Sequence, residues 1–266
     1  MLDSLTLLYL EGKFVIGLLI LVRVSGLFTT GPFFKNSAIV TQMKIFLILL
    51  LSVVITSAFW QEQPEIGMNV FNLVMLVIKE FMVGAFLGFI SNIPFTAARF
   101  AGGLVDMEMG YQTGALFDRE ASTPTLVGEF NELILLMLFL IMNGHHFLIE
   151  GIYYSFKVLP LDTMVFTQTT FDIIGATAVS IFILAVKLAS PLLIALFLTN
   201  LGLALLARVA PQTNVFVLSF QMKVMVGLIM LTVSLPAFVM ISKNALTVVQ
   251  GDFLDALISL NPMRVP

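Results

Sequence analysis

Few residues of this 266-residue chain are of types that do chemistry. His145 and His146 are its two histidines, and cysteine is absent. Neighbouring helix positions point about 100° apart, so the two imidazoles are poorly placed to share one ion. Glu150, four residues after His146, can face it, but a metal site wants three or four ligands at suitable spacing and no further candidate stands nearby. The pair reads instead as hydrogen-bonded side chains at a helix break beside Gly144. Asp106 and Glu108 alternate rather than share a helical face, and no apolar span surrounds them to raise a pKa. The nucleophile elbow, the His-Glu-x-x-His zinc motif and the phosphate-binding loop are all missing. No catalytic residue, metal or cofactor is expected, and the chemistry on offer is not catalysis.

What remains is charge inside apolar sequence. Arg23, Lys79, Glu80, Lys187 and Lys223 lie within or at the edges of long apolar stretches. A Lys or Arg at a bilayer centre costs about 2.5–3.5 kcal/mol on insertion scales, so such residues face protein or a water-filled cavity. Lys223 sits toward the start of its stretch, where its stem can carry the ammonium to the interface. Lys187 sits centrally, which predicts a functional or subunit-facing role. Lys79 and Glu80 are adjacent on a helix and so do not pair with each other.

The elements holding these residues follow from composition. Lys, Arg, Asp and Glu number 29, or 11%, against 59% hydrophobic residues. A typical soluble protein has about 25% charged residues. This chain lacks the polar surface to cover a soluble core. Its net charge of −3 leaves no phosphate-binding face, which excludes nucleic acid as a partner. The expected fold class is all-α: a polytopic membrane protein of about six hydrophobic, partly broken helices. The candidate spans are residues 14–34, 45–60, 70–92, 133–158, 173–199 and 215–241, each judged against the 20 or so residues that cross a bilayer. The fourth is expected to break near Gly144. Asp3 and Glu11 stand where a signal peptide would be basic, so the first stretch reads as a retained span. Lys35, Lys44, Arg99, Arg119 and Arg208 fall in alternate connections, which by the positive-inside rule places those loops in the cytoplasm and both termini outside. Pro191 and Pro236 lie inside the last two stretches, where each kinks its helix unless a neighbour satisfies the freed carbonyl. Gly84 and Gly88 form a small-xxx-small pair that admits another backbone, from this chain or a partner.

The longest polar interval runs from Arg99 to Glu132. It holds eight of the 29 charges: Arg99, Asp106, Glu108, Asp118, Arg119, Glu120, Glu129 and Glu132. Met107, Met109, Tyr111 and Phe117 stand among Gly102, Gly103, Gly110 and Gly114. It reads as a long loop, and such loops are usually functional or disordered. Its apolar content argues against disorder. Unbranched Met side chains adapt to irregular surfaces and glycine frees the backbone. A loop of this make-up can close a pore and move aside, or pack permanently as a lid.

Several segments in fixed order resemble the FliR family, the R subunit of the flagellar and type III secretion export gate. They are Arg23-Val24-Ser25-Gly26 with Gly31-Pro32, the run from Ala101-Gly102 to Asp118, Gly144-His145-His146, Ser155-Phe156 with Leu159-Pro160, and Ala210-Pro211-Gln212-Thr213-Asn214-Val215-Phe216. The family commonly has Asp-Pro in the central loop, whereas Arg119 follows Asp118 here. The resemblance implies a structural subunit with no enzymatic activity. It implies assembly with P-type and Q-type subunits, one R subunit per hetero-oligomer, beside a B-type switch subunit, in the bacterial inner membrane at the flagellar basal body. Unfolded export substrates would be transient partners, and lipid a permanent one. It implies a P-like part at 1–165, a Q-like helical hairpin at 170–245 turning near Pro211 and Asn214, and a tail at 246–266. It also implies that the central loop plugs the closed channel: Asp106, Met107, Glu108, Met109, Gly110, Tyr111, Gln112, Gly114 and Phe117. Arg23, Lys79, Glu80, Gly84, Gly88, His145, His146, Lys187, Pro211 and Asn214 are then packing or buried-charge positions. The competing reading is a secondary transporter for a small solute, using proline-interrupted helices and intramembrane charge. Repeated halves with matching interruptions, which that reading wants, are not seen.

Overall fold

A computed structural model describes residues 2–32, 40–59, 70–111, 125–165, 167–212 and 214–261, with side chains from Gly12 onward. Among these residues there are eight helices and no strand. They are α1 (Leu2–Thr30), α2 (Thr41–Phe59), α3 (Val70–Ser91), α4 (Ile93–Met109), α5 (Leu126–Ile141), α6 (Gly144–Val158), α7 (Gln168–Val209) and α8 (Val215–Ser259). Unbroken apolar runs leave the helix as the only open structure that satisfies its own backbone in lipid. Five helices, α1 (from Gly12), α2, α3, α7 and α8, are long and apolar enough to cross a membrane. The pair α5 and α6 makes a sixth if counted as one broken span.

The expected break near Gly144 is therefore present. Asn143 adopts a left-handed φ of 57°, ending one helix and opening the next. α7 and α8 continue through Pro191 and Pro236. At Pro191 a neighbour satisfies the freed carbonyl. Its missing N–H frees the carbonyl of Lys187, four residues earlier, and the Ser190 hydroxyl donates to that oxygen at 3.0 Å. The helices also outrun the candidate spans: α8 reaches Ser259, so much of the expected tail is helix.

The chain divides into two compact units. One comprises Met1–Ile93, Asn143–Thr177 and Val248–Pro266, the other Pro94–Met142 and Ala178–Thr247.

In the first unit, α1 packs chiefly along α3. A side chain on Gly26 would meet the carbonyl of Phe81 at 2.5 Å, one on Gly84 would strike the Arg23 carbonyl, and one on Gly88 would strike the Thr30 hydroxyl. Residue numbers rise together across this seam, so the two helices are parallel. Gly84 and Gly88 are thus used inside the chain, on the packing side of the choice the sequence left open. Around the same unit Phe147 meets Phe253 edge-on with centroids 5.2 Å apart, and the Asn261 amide donates to the Val158 carbonyl at 2.6 Å.

In the second unit α4 and α5 run antiparallel. Their contacts step backward along α5 as they climb α4. Phe95 meets Phe139 edge-on, and the Asn131 amide donates to the Ala98 carbonyl at 3.3 Å. Arg99 pairs with Glu132, and a side chain on Gly102 would collide with the backbone of Gly128. The interval 99–132, expected to be a loop, is helical at both ends because these contacts bury its glycines and alanines.

Candidate functional site

The end of α4 carries the residues expected to plug a pore. Asp106 is buried, one turn before the helix ends. Its two carboxylate oxygens accept from the backbone N–H of Val127 at 3.2 and 3.1 Å. That N–H is in the first turn of α5, where helix donors lack intrahelical acceptors. Thr125, the N-cap residue, makes no side-chain cap, so Asp106 supplies the cap from a different helix. Burial, which strips water from the carboxylate, pushes its pKa above the ordinary 3.8. The backbone N–H groups of Val127 and Gly128 pull it down, and the negative charge of Glu129 pushes it up. The expectation that nothing around Asp106 would raise its pKa is corrected: the apolar surroundings come from α5, not from the neighbouring sequence.

The other plug residues divide. Met107 and Glu108 are exposed on the last turn of α4, with Glu108 accepting from the Asn200 amide at 3.3 Å. Met109 is fully buried. Its thioether occupies the space in which a side chain at Gly227 would sit. Gly110 follows at φ 84°, a turn conformation that suits glycine. Tyr111 meets Phe220 edge-on with centroids 6.5 Å apart. Asp106 to Met109 are therefore helix rather than loop. Gln112, Gly114 and Phe117 lie outside the described residues, as does the Asp118-Arg119 departure.

Met109, Tyr111 and Phe130 border an apolar cavity of about 360 Å3 that Leu228, Leu231 and Leu235 close from α8. Tyr111 and Thr232 are its two hydroxyl-bearing lining residues.

The remaining expected positions fall into three sets. Arg23 and Glu80 are buried at 0% exposure, with Nε to Oε2 at 2.5 Å. Arg23 Nη1 also donates to the Leu159 carbonyl at 2.9 Å and to Ser155, and its guanidinium stacks 4.2 Å above the Phe156 ring. Glu80 Oε1 accepts from the Asp162 N–H at 3.4 Å. Lys79 turns the other way to Asp162, at 3.0 Å on the surface, as adjacency required. Sequence reasoning marked Arg23 and Glu80 but not their meeting, 57 residues apart in sequence.

The histidine rings lie 4.2 Å apart and tilted by 38°. They meet as tilted rings, and among the described residues His145 Nδ1 has no hydrogen-bond partner. Among the described residues no group of three His, Cys, Asp or Glu side chains could hold a metal ion.

Pro211 and Asn214 stand in the turn between α7 and α8, where Asn214 Oδ1 accepts from the Val217 N–H at 3.4 Å. Lys187 is exposed on α7, and Lys223 is half-buried on α8.

Comparison with known proteins decides which machine this geometry belongs to. Residues 14–248 match the family model of the bacterial export proteins, family 1. The chain belongs to this family. The flagellar biosynthetic protein FliR of Bacillus subtilis (strain 168) is 31% identical over 231 residues, covering 85% of this chain and 88% of that protein. FliR of Escherichia coli (strain K12) is 30% identical over 220 residues, 81% of this chain and 82% of its own. The Yop proteins translocation protein T of Yersinia pestis is 31% identical over 174 residues, 64% of this chain and 67% of its own. The resemblance read from the ordered motifs is borne out, and the family's matched region runs from within α1 to within α8.

Proposed function

We propose that this chain is the R-type structural subunit of a flagellar type III export gate, seated in the bacterial inner membrane at the basal body. In this reading it assembles with P-type, Q-type and B-type subunits around a pore for unfolded substrates. Residues 1–165 form its P-like part and 170–245 its Q-like hairpin. The observation that carries the reading, beside the family match, is the length of the exposed apolar helices. α7 has 42 residues and α8 has 45, roughly 63 and 68 Å at 1.5 Å per residue. A hydrocarbon core is about 30 Å thick. Large apolar side chains are exposed along both helices, from Phe171 to Val209 and from Phe216 to Val248. Lipid covers about half of such a length, and other subunits cover the rest. A stand-alone solute transporter has no use for that surplus.

The segment from Asp106 to Phe117 acts as the plug, with Asp106 and Met109 as its anchor and the residues after Gly110 as the blocking part. The test removes residues 112–117 and leaves both anchors intact. Ion conductance through cells carrying the assembled gate is expected to rise severalfold over wild type. Unchanged conductance, with the other subunits still copurifying, overturns the plug assignment. Recovery of the tagged chain alone, or as a small homo-oligomer, overturns the subunit reading in favour of the transporter.

A further inference from the structure

We propose that three helix ends form a clasp that keeps the base of the α7–α8 hairpin permanently shut, and that residues 256–261, which the resemblance counts as part of a tail, are its closing piece. The three are the ends of α6 and α8 and the start of α7, all within the first unit. The bonds lie within this chain, so the clasp can be tested whether or not the export-gate reading holds.

A helix end leaves backbone groups without an intrahelical partner, and a buried one left unpaired is costly. Here the ends serve one another. The Asn261 side chain donates at 2.6 Å to the carbonyl of Val158, the last residue of α6. The carbonyl of Ser259, the last residue of α8, accepts from the hydroxyls of Thr167 and Thr170 at 3.0 and 3.1 Å. The Leu260 carbonyl accepts from the Val165 N–H at 3.2 Å, in the connection that leads into α7. Thr167 stands just before α7, and its hydroxyl oxygen also accepts from the Thr170 N–H at 3.3 Å, which caps that helix. Thr170, Ser259 and Asn261 are buried.

Apolar packing seats the closing piece. Phe253, Ala256, Leu257 and Leu260 are all 0% exposed. A side chain at Gly151 of α6 would come within 2.7 Å of the Phe253 ring, so the last turns of α8 lie directly on α6. Neutral groups make every bond of the clasp, and they need no ligand or partner to close. The start of α7 and the end of α8 cannot part or slide without breaking these bonds together. At the far end of the hairpin, Val209 and Phe216 flank the turn at 83% and 86% exposure. The hairpin is therefore tied at its base and exposed at its turn.

Thiol labelling tests the clasp cleanly, because the chain has no cysteine of its own. Thr170 is buried in it, and Thr169 is exposed beside it. In membranes holding the full chain, Thr170→Cys is expected to react with a water-soluble maleimide at least tenfold more slowly than Thr169→Cys. Adding Asn261→Leu, or removing residues 256–266, is expected to raise the Thr170→Cys rate at least fivefold. Equal rates at the two positions overturn the clasp. An unchanged rate in Asn261→Leu overturns the part given to residues 256–261, and this variant reports even if the truncated chain fails to accumulate. The Thr170 and Ser259 hydroxyl oxygens are 3.5 Å apart. Thr170→Cys with Ser259→Cys is expected to form a disulfide in most chains on mild oxidation and to leave export at the wild-type level. Export that stops on oxidation and returns with reductant means a base that opens in use, and overturns permanent closure. A chain that copurifies with no unlike subunit while Thr170→Cys stays protected sinks the export-gate reading and leaves the clasp standing.

Discussion

The α1–α3 seam and the α4–α5 hairpin solve the same packing problem with different chemistry. Each brings two helix backbones together at glycines: Gly26, Gly84 and Gly88 in one, Gly102 and Gly128 in the other. Each buries a carboxylate beside the crossing. Glu80 meets a guanidinium at 2.5 Å, while Asp106 meets only backbone N–H groups at the start of α5. The first acid is matched by a full opposite charge and the second only by dipoles. A helix N-terminus provides a fraction of a charge and leaves desolvation to set the pKa. The first seam is closed by an ion pair, and the second by a helix cap whose acid is desolvated.

Substitutions centred on four positions, Glu80, Gly84, Asp106 and Arg99, sharpen or break that contrast. The largest effect is expected at Glu80. Glu80→Ala strands a buried guanidinium and is expected to cost about 3–5 kcal/mol, read as thermal unfolding in detergent. Arg23→Leu with Glu80→Leu is expected to recover most of that loss. A double variant as unstable as the single one breaks the account of the cluster as a matched pair.

Next comes Gly84→Leu, where the new side chain meets the Arg23 carbonyl and must part α1 from α3. Overpacking of this kind costs about 1–3 kcal/mol. The same assay reads it, and a neutral result means the seam opens freely.

Asp106→Ala is expected to cost about 0.5–2 kcal/mol, the range for a lost N-cap. Its pH dependence is more telling. The folded pKa lies above the ordinary 3.8, so the folded chain holds the proton more tightly than the unfolded one. Stability then falls as pH rises from about 3.8 through the raised value, and is level on either side. Asp106→Asn is expected to lose that increment. Wild-type and Asp106→Asn unfolding curves that stay parallel between pH 3.5 and 7, a range of roughly one carboxylate titration, break the account of Asp106 as a desolvated cap.

The smallest effect belongs to Arg99→Ala. Its pair with Glu132 lies largely at the surface, and such pairs are worth about 0.2–1 kcal/mol. A larger loss means the hairpin leans on that pair more than on its glycines.

These contrasts were unevenly legible in the sequence. Runs such as Ile45 to Leu51 announce a span by transfer energy alone, so the membrane-length helices fell near their expected places. Helix ends did not: α8 is carried past its apolar run by the packing of Phe253, Ala256 and Leu257, and α7 runs on through the still apolar residues 201–207. Gly84-xxx-Gly88 was visible as a pair, but its partner on α1 was not. Asp106 was misjudged because its two-residue spacing from Glu108 says nothing of α5, whose start folds back over it. The reading of 99–132 as loop failed for the same reason: Ala98, Gly102 and Gly128 are small so that two helices can touch, a use that looks like flexibility until the partner is known. Arg23 and Glu80 were marked as costly, and cost alone does not say that they meet.

Met109 and Gly227 carry a consequence for kinship. The thioether fills the volume that any β-carbon at 227 would claim, so the two positions form one heritable character rather than two. A relative with alanine or larger at the place of Gly227 is expected to have a shorter residue at the place of Met109. A chimaera that takes α4 from one relative and α8 from another is expected to fail at this point unless both residues travel together.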